Sequence, residues 1–385
     1  MWADSAKYIF SLKNSETMPG DYSSLAGFIT TPAPATTGAG RASHAIRAPL
    51  LGHGGVVEAV LNGSTGFLEI RAASGEVTRA ARGWRGGGRS AFYLSLKGRV
   101  PKFRRSFLDT QKLAFLGLPN SGIFVFDLFY LTHPDNWSDR ILGRVLYRGL
   151  RRYPMILTCS EYTRATLQER LKIPPERIRV VPLDCDRTIF RPMEVDKNAW
   201  LSKYGLPIGQ PLLAHISSGE KRKNLLGVLD ALRLLTERFP GIALIKAGKV
   251  LHGENQKILQ DRIHALGLRD HVFFLEGIPD SELAALYNVA DCFLFPSLAE
   301  GFGLPVLEAQ ACGCPVVTSN TTSLREVAGP LCRAVNPLDA GAISDAIADI
   351  LSDPEFRSRH AAANKNYLER FSWEPARQAV CDWLL

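Results

Sequence analysis

Residues 292–318 read CFLFPSLAEGFGLPVLEAQACGCPVVT, and three signals follow one another in that stretch. Cys292 to Pro296 is short and wholly apolar, the pattern of a strand buried on both faces. Gly301 and Gly303 then break the run and let the main chain come close to a ligand. Pro305 stands in the first turn of a helix predicted over Pro305–Ala311, where its missing N–H removes no hydrogen bond. A second apolar run, Pro315–Thr318, follows one short helix later. Strand, helix and strand in that order require a crossover, and therefore parallel pairing.

The same alternation extends outward. Strands are predicted at Leu212–Ile216, Ile242–Ala247 and Val272–Leu275, with helices at Leu225–Arg238, Asn255–Leu266 and Ser281–Val289. A parallel sheet covered by helices on both faces, a doubly wound α/β domain, takes its ligands at the carboxyl ends of its strands. A break falls near Phe190–Asp196. Before it, Ile123–Phe126, Met155–Cys159 and Ile178–Pro182 read as strands, and Leu142–Arg151 and Tyr162–Leu171 as helices, with Ser160 placed to cap the latter. The first fifty residues are the least readable. Ala26–Arg41, rich in Gly, Pro, Ala and Thr, is expected to be a loop or flexible arm. No internal repeat is visible.

Bulk composition agrees with two domains. The chain has 385 residues, 46% hydrophobic and 22% charged, which fits a folded globular protein. No run approaches the roughly 18 apolar residues of a membrane span. The longest candidate, Leu113–Leu131, is interrupted by Pro119, Asn120, Ser121 and Asp127 and reads as a buried strand with its flanks. Met1–Gly20 carries Asp4, Lys7, Lys13 and Glu16, so no secretory signal is expected and the cytoplasm is the expected compartment. The seven cysteines are scattered without a CxxC pair, and buried free thiols are expected rather than disulfides or a zinc site. The net charge of +8 is concentrated at Arg79, Arg82, Arg85, Arg89, Lys97, Arg99, Lys102, Arg104 and Arg105, and again at Arg140, Arg144, Arg148, Arg151 and Arg152. Such a field draws anions, including an acidic membrane leaflet, unless it is merely a solvated face. No nucleic-acid-binding motif accompanies it, so nucleic acid is not an expected partner.

Chemistry concentrates around residues 296–309. The helix start after Gly303 aims free N–H groups at a point where phosphate can bind. Glu300 and Glu308 can address one ligand from two sides, and carboxylates are natural acceptors for sugar hydroxyls. The bland alternative is an ordinary strand–loop–helix with two solvated glutamates.

EGFGLPVLEAQACGCPVV, residues 300–317, closely resembles the donor site of family 4 (group 1) retaining glycosyltransferases of the GT-B fold, and Thr318–Val327 resembles bacterial polysaccharide mannosyltransferases among them. The resemblance implies two Rossmann-like domains facing a cleft. Residues 1–194 would form an acceptor-binding domain, 195–365 a nucleotide-sugar domain, and 366–385 a terminal helix crossing back to the first. It implies that Glu308 binds the ribose hydroxyls and Glu300 the donor sugar, while Gly301, Phe302, Gly303 and Leu304 hold sugar and phosphate through their amides. Ser218 to Asn224 is similar to the family's phosphate-binding segment, with Lys223 as a cation. Ser218 occupies the place of the usual arginine, and Arg222 is the candidate substitute. Gly277 and Ile278 match the loop beside the nucleobase. Asp127 matches the acid of a His-Asp-Leu segment whose histidine is here Phe126, and His133 and His53 are candidate replacements. Gly54 and Gly55 are a candidate second phosphate loop. Val-Pro-Leu-Asp-Cys-Asp at 181–186 departs from the family's usual Val-Pro-Asn-Gly-Val-Asp.

The implied reaction moves a hexose, from GDP-mannose or another nucleoside-diphosphate sugar, to a glycan or lipid-linked acceptor with retention. No metal and no cofactor are implied, and a dinucleotide motif is absent. Peripheral contact with an anionic inner membrane face would explain the basic clusters. Three rivals remain: a glycosidase using Glu300 and Glu308, a phosphorylase or epimerase of the same fold, and a transferase-like subunit that binds nucleotide sugar or a partner without turnover.

Overall fold

The computed structural model describes residues 26–30, 38–47, 56–62, 67–71, 77–82, 102–134, 137–248 and 254–385. The chain divides into two compact units, Met1–Pro182 with Trp373–Leu385, and Leu183–Ser372. The sequence expectation puts these divisions at 194/195 and 365/366.

In the first unit the described elements are β1 (Ala26–Thr30), α1 (Gly38–Arg47), β2 (Val56–Asn62), β3 (Phe67–Arg71), β4 (Val77–Arg82), β5 (Arg105–Leu108), β6 (Ser121–Val125), α2 (Phe129–Thr132), α3 (Trp137–Arg148), β7 (Met155–Thr158), α4 (Glu161–Leu171) and β8 (Ile178–Val180). They form one sheet in the order β4-β3-β2-β1-β5-β6-β7-β8. Its six strands from β2 to β8 pair in parallel, whereas β3 and β4 add an antiparallel edge. This corrects one expectation: Ala26–Arg41 is not a single loop or arm, because β1 lies in the middle of the sheet with all five residues buried and α1 begins at Gly38. The composition misleads there because β1 is only five residues long. Gly27 is required by packing, since a Cβ on it would sit 2.4 Å from the Phe103 ring.

Leu113–Leu131 is, as expected, a buried strand with its flanks. A 3-10 turn over Gln111–Leu116 ends at Gly117, whose φ of 59° is left-handed, and β6 follows. Ser160 caps α4 as expected, its hydroxyl accepting from the Thr163 amide.

The second unit contains α5 (Lys197–Lys203), β9 (Leu212–Ile216), α6 (Leu225–Arg238), β10 (Ala243–Ala247), α7 (Glu254–Ala265), β11 (Val272–Leu275), α8 (Asp280–Val289), β12 (Cys292–Phe295), α9 (Leu304–Ala311), β13 (Val316–Ser319), α10 (Leu324–Val327), β14 (Arg333–Val335), α11 (Ala340–Leu351) and α12 (Phe356–Leu368). The sheet order is β11-β10-β9-β12-β13-β14, parallel throughout. The chain starts in the centre, winds to one edge, and returns to wind to the other. The loops after β9 and β12 therefore part in opposite directions and leave a crevice between them, the switch point where open α/β sheets bind ligands. The last helix, α13 (Glu374–Leu384), belongs to the first unit. There Trp383 Nε1 donates to the Ser106 carbonyl at 2.8 Å, and Arg377 Nε to that of Ala45 at 2.8 Å.

All seven cysteines are free, with Cys332 and Cys381 only half-buried. Among the described residues no helix is long and apolar enough to cross a membrane.

Candidate functional site

β9 runs into Ser217–Glu220 and a single 3-10 turn, Lys221–Lys223. Asn224 closes that turn with a φ of 57°, in the left-handed region where Asn is among the better-tolerated side chains. Its amide nitrogen donates to the carbonyls of Pro296 (3.0 Å) and Pro337 (2.6 Å), pinning the turn to the loop after β12. The Leu298 amide completes the clamp by donating to the Arg222 carbonyl at 2.7 Å. Two loops 70 to 80 residues apart in the chain are thus held side by side at the switch point.

Within this frame the Glu300 side chain, 9% exposed, meets two cations. Lys223 Nζ lies 2.7 Å and Arg222 Nη1 3.1 Å from the same oxygen, Oε1. Lys223 also sits 4.6 Å above the Phe295 ring, which holds its ammonium over an electron-rich face. Arg222 is shared with Glu220, 3.6 Å away. Burial alone would raise the Glu220 carboxyl, but Arg222, the Ser218 hydroxyl and Lys223 outweigh it and hold it below its ordinary value. Ser218 is thereby an exposed partner of Glu220. The backbone of 300–302 is fixed from the other side, because Ser323 Oγ donates to the carbonyls of Glu300 (2.8 Å) and Phe302 (3.0 Å).

Gly303 caps α9 with φ 113°, and a Cβ on it would lie 2.6 Å from Leu324 Cδ2. Both backbone conformation and space restrict the position to glycine. Phe302 and Leu304 turn their side chains into the core, Phe302 edge-on to Phe371 at 6.0 Å, so only their main chain remains for a ligand. One turn into α9, Glu308 is 2% exposed and accepts from the Tyr287 hydroxyl at 3.1 Å. A carboxylate sunk this far, held by a phenol from α8, is no solvated surface glutamate. Gly277 (φ 62°) and Ile278 lie on the loop that leaves β11, where the Gly277 main chain is open.

Two further buried groups lie on the central strands. His215 on β9 is fully buried, which lowers its pKa to about 4, and its Nδ1 is 2.9 Å from the Leu294 carbonyl. Lys246 on β10 is held below its ordinary value by burial, partly offset by Glu276 and Glu220.

The remaining predicted residues, apart from 184–186, fall in the first unit. Asp127 accepts from the Phe129 amide at 3.3 Å and starts α2. Phe126 is 8% exposed and stacked on Phe124 at 4.4 Å, so an aromatic core contact occupies the position matched to a histidine. His133 is exposed, 3.0 Å from the Thr132 hydroxyl. Gly54, Gly55 and His53 lie outside the described residues, as do Arg85, Arg89, Lys97 and Arg99. In 184–186, the Asp184 carboxylate binds Arg187 while Cys185 is buried. Sequence reasoning missed Tyr287, Asn224 and Ser323. Only Asn224 left a signal, an asparagine directly before an apolar helical repeat.

Residues 196–367 match the family model described as Glycosyl transferases group 1. The chain is 34% identical over 246 residues to O-antigen chain mannosyltransferase B of Escherichia coli, a match covering 63% of each protein. It is 30% identical over 252 residues to the GDP-mannose-dependent alpha-(1-6)-phosphatidylinositol monomannoside mannosyltransferase of Mycolicibacterium smegmatis, covering 63% of this chain and 65% of the relative. The matched region thus spans just under two thirds of these curated relatives. The fold is similar to that of Anabaena HepE, solved in complex with UDP-glucose, with a TM-score of 0.74 at 17% identity over 92% of this chain and 98% of HepE. With its two Rossmann-like units the chain has the GT-B fold, and its residues 196–367 match the group 1 glycosyl transferases.

Proposed function

We propose that this protein is a glycosyltransferase that moves a hexose, with mannose from GDP-mannose the favoured donor, from a nucleoside-diphosphate sugar to a glycan or lipid-linked acceptor of cell-surface polysaccharide or glycolipid synthesis. The observation that carries the reading is the Glu300 contact. Lys223 and Arg222 both bind its Oε1. Lys223 and Arg222, held in place by Glu300 and Glu220, stand beside the N-terminal amides of α9, where the helix dipole adds to the cations in favouring a diphosphate. Glu300 would accept from a hydroxyl of the donor sugar, and Glu308 from the ribose.

The chemistry follows from where charge develops. As the anomeric C–O bond lengthens, negative charge builds on the departing diphosphate, and fixed cations and aligned amides stabilise it without reorganising. Lys223, Arg222 and the Gly301–Leu304 amides take that role. The acceptor hydroxyl attacks the same face of the sugar, its proton passing to the leaving phosphate, so the configuration is retained. The mannosyltransferase relatives support the choice of mannose. The first unit would bind the acceptor, with Asp127 near it, and a lipid-linked acceptor would place the protein peripherally at an anionic membrane face.

Incubation with GDP-mannose, UDP-glucose and a panel of lipid-linked and free glycan acceptors tests this reading, with anomeric configuration read by NMR. Transfer with an α-linkage from an α-linked donor supports it. The core stacking of Phe126 favours one alternative, a subunit that binds donor without turnover. Nucleotide binding with no transfer across the whole panel would establish that alternative instead.

A further inference from the structure

The helix α3 carries an unexplained second apolar stripe. Its inner face is fixed: Leu146 packs on the core of the first unit, Tyr147 is buried, and Gly143 lies so close to α2 that a Cβ would be 2.6 Å from the Tyr130 carbonyl oxygen. At about 100° per residue, Trp137, Ile141 and Val145 align on the side away from Leu146. They are 77%, 51% and 59% exposed. A soluble helix normally presents polar residues there.

Charge lies along the same side. Arg140, Arg144 and Arg148 share the four-residue spacing, run along one edge of the stripe and are exposed. None of them is ion-paired among the described residues. Arg151 and Arg152 extend the row, so residues 137–152 hold five arginines against one acid, Asp139, a net charge of +4. Tyr130, 37% exposed, adds a second aromatic on the neighbouring α2. An apolar row led by tryptophan and edged by unpaired arginines is the chemistry of a helix lying in the lipid headgroup region.

We propose that α3 is the surface on which this protein rests on an anionic lipid bilayer, with Trp137, Ile141 and Val145 entering the acyl boundary and Arg140, Arg144 and Arg148 among the lipid phosphates. The inference deepens the reading of a lipid-linked acceptor by naming the element that meets the membrane. The stripe and its arginines do not themselves depend on that reading.

Flotation of the full chain with phosphatidylcholine vesicles, with and without phosphatidylglycerol, tests it. Binding is expected only when the anionic lipid is present. It should weaken at least tenfold in the Trp137→Ser, Ile141→Ser, Val145→Ser triple variant, and about fivefold for each of Arg144→Gln and Arg148→Gln. Quenching of tryptophan emission by brominated lipid should be reduced by Trp137→Phe. All the changes are on exposed side chains, and unchanged thermal unfolding confirms that the variants fold. Nucleotide binding, measured in parallel, reports on the second unit, so loss of vesicle binding with nucleotide binding intact is specific to α3. Vesicle binding unaffected by the triple variant would overturn the proposal. So would no vesicle binding by the unaltered chain, including the case in which the stripe instead drives concentration-dependent self-association.

Discussion

At the scale of single residues, the site depends on a few positions with little freedom. Gly303 combines a φ of 113° with a Leu324 methyl where a Cβ would go. Gly303→Ala should destabilise the second unit by about 1–3 kcal/mol in chemical denaturation; a change under about 0.5 kcal/mol would mean that the loop relaxes freely. His215 supplies a pH dependence. Burial lowers its pKa from 6.5 to about 4, so below pH 6.5 the unfolded chain gains a proton that the folded chain refuses. Stability therefore falls as pH drops from 6.5 to about 4, by up to about 3 kcal/mol. His215→Leu should flatten that acid limb, as read by urea unfolding across this range. Asp109, at the end of β5, acts in the opposite sense in the first unit. Burial raises its pKa from 3.8 to about 6, so its contribution is lost as pH rises through that window. Glu300 and Glu308 were legible from their spacing. Their environments were not, because Lys223 and Tyr287 reach them across 77 and 21 positions of sequence.

At the scale of elements, legibility followed how a strand is buried. In the second unit the strands from β9 to β13 are largely apolar runs between helices, although His215 and Lys246 interrupt two of them, and the predicted ends of β9, β11 and α6 coincide with those observed, whereas β14, which carries Arg333, was not predicted. In the first unit β1 is hidden by flanking Gly, Pro and Thr, and the β3–β4 edge by alternation with Glu69, Arg71, Arg79 and Arg82. The terminal helix α13 is read as part of the first unit by its partners. Arg105 donates to the Trp383 carbonyl at 3.0 Å and lies 5.2 Å from its ring, while the indole N–H binds β5. Trp383→Ala should lower the stability of the first unit by about 2–3 kcal/mol. Calorimetry that showed only the second unit's transition shifting would refute that assignment.

At the scale of the molecule, each of the two units has its own sheet, and the candidate site lies in the second. Its strand order makes β9 and β12 the point where successive loops diverge. Those loops carry Lys223, Arg222 and Glu300. The most direct measurement of the central claim is titration of the full chain with GDP, UDP, dTDP and CMP, following the unfolding of the second unit. One diphosphate should stabilise it, by about 2.7 kcal/mol at a hundred times its dissociation constant. Lys223→Met should weaken that binding by tenfold to a hundredfold, the loss of a charge-assisted contact, whereas Lys221→Met, an exposed neighbour, should leave it unchanged. Equal binding by the Lys223→Met variant, or no stabilisation by any of the four nucleotides, would contradict the account.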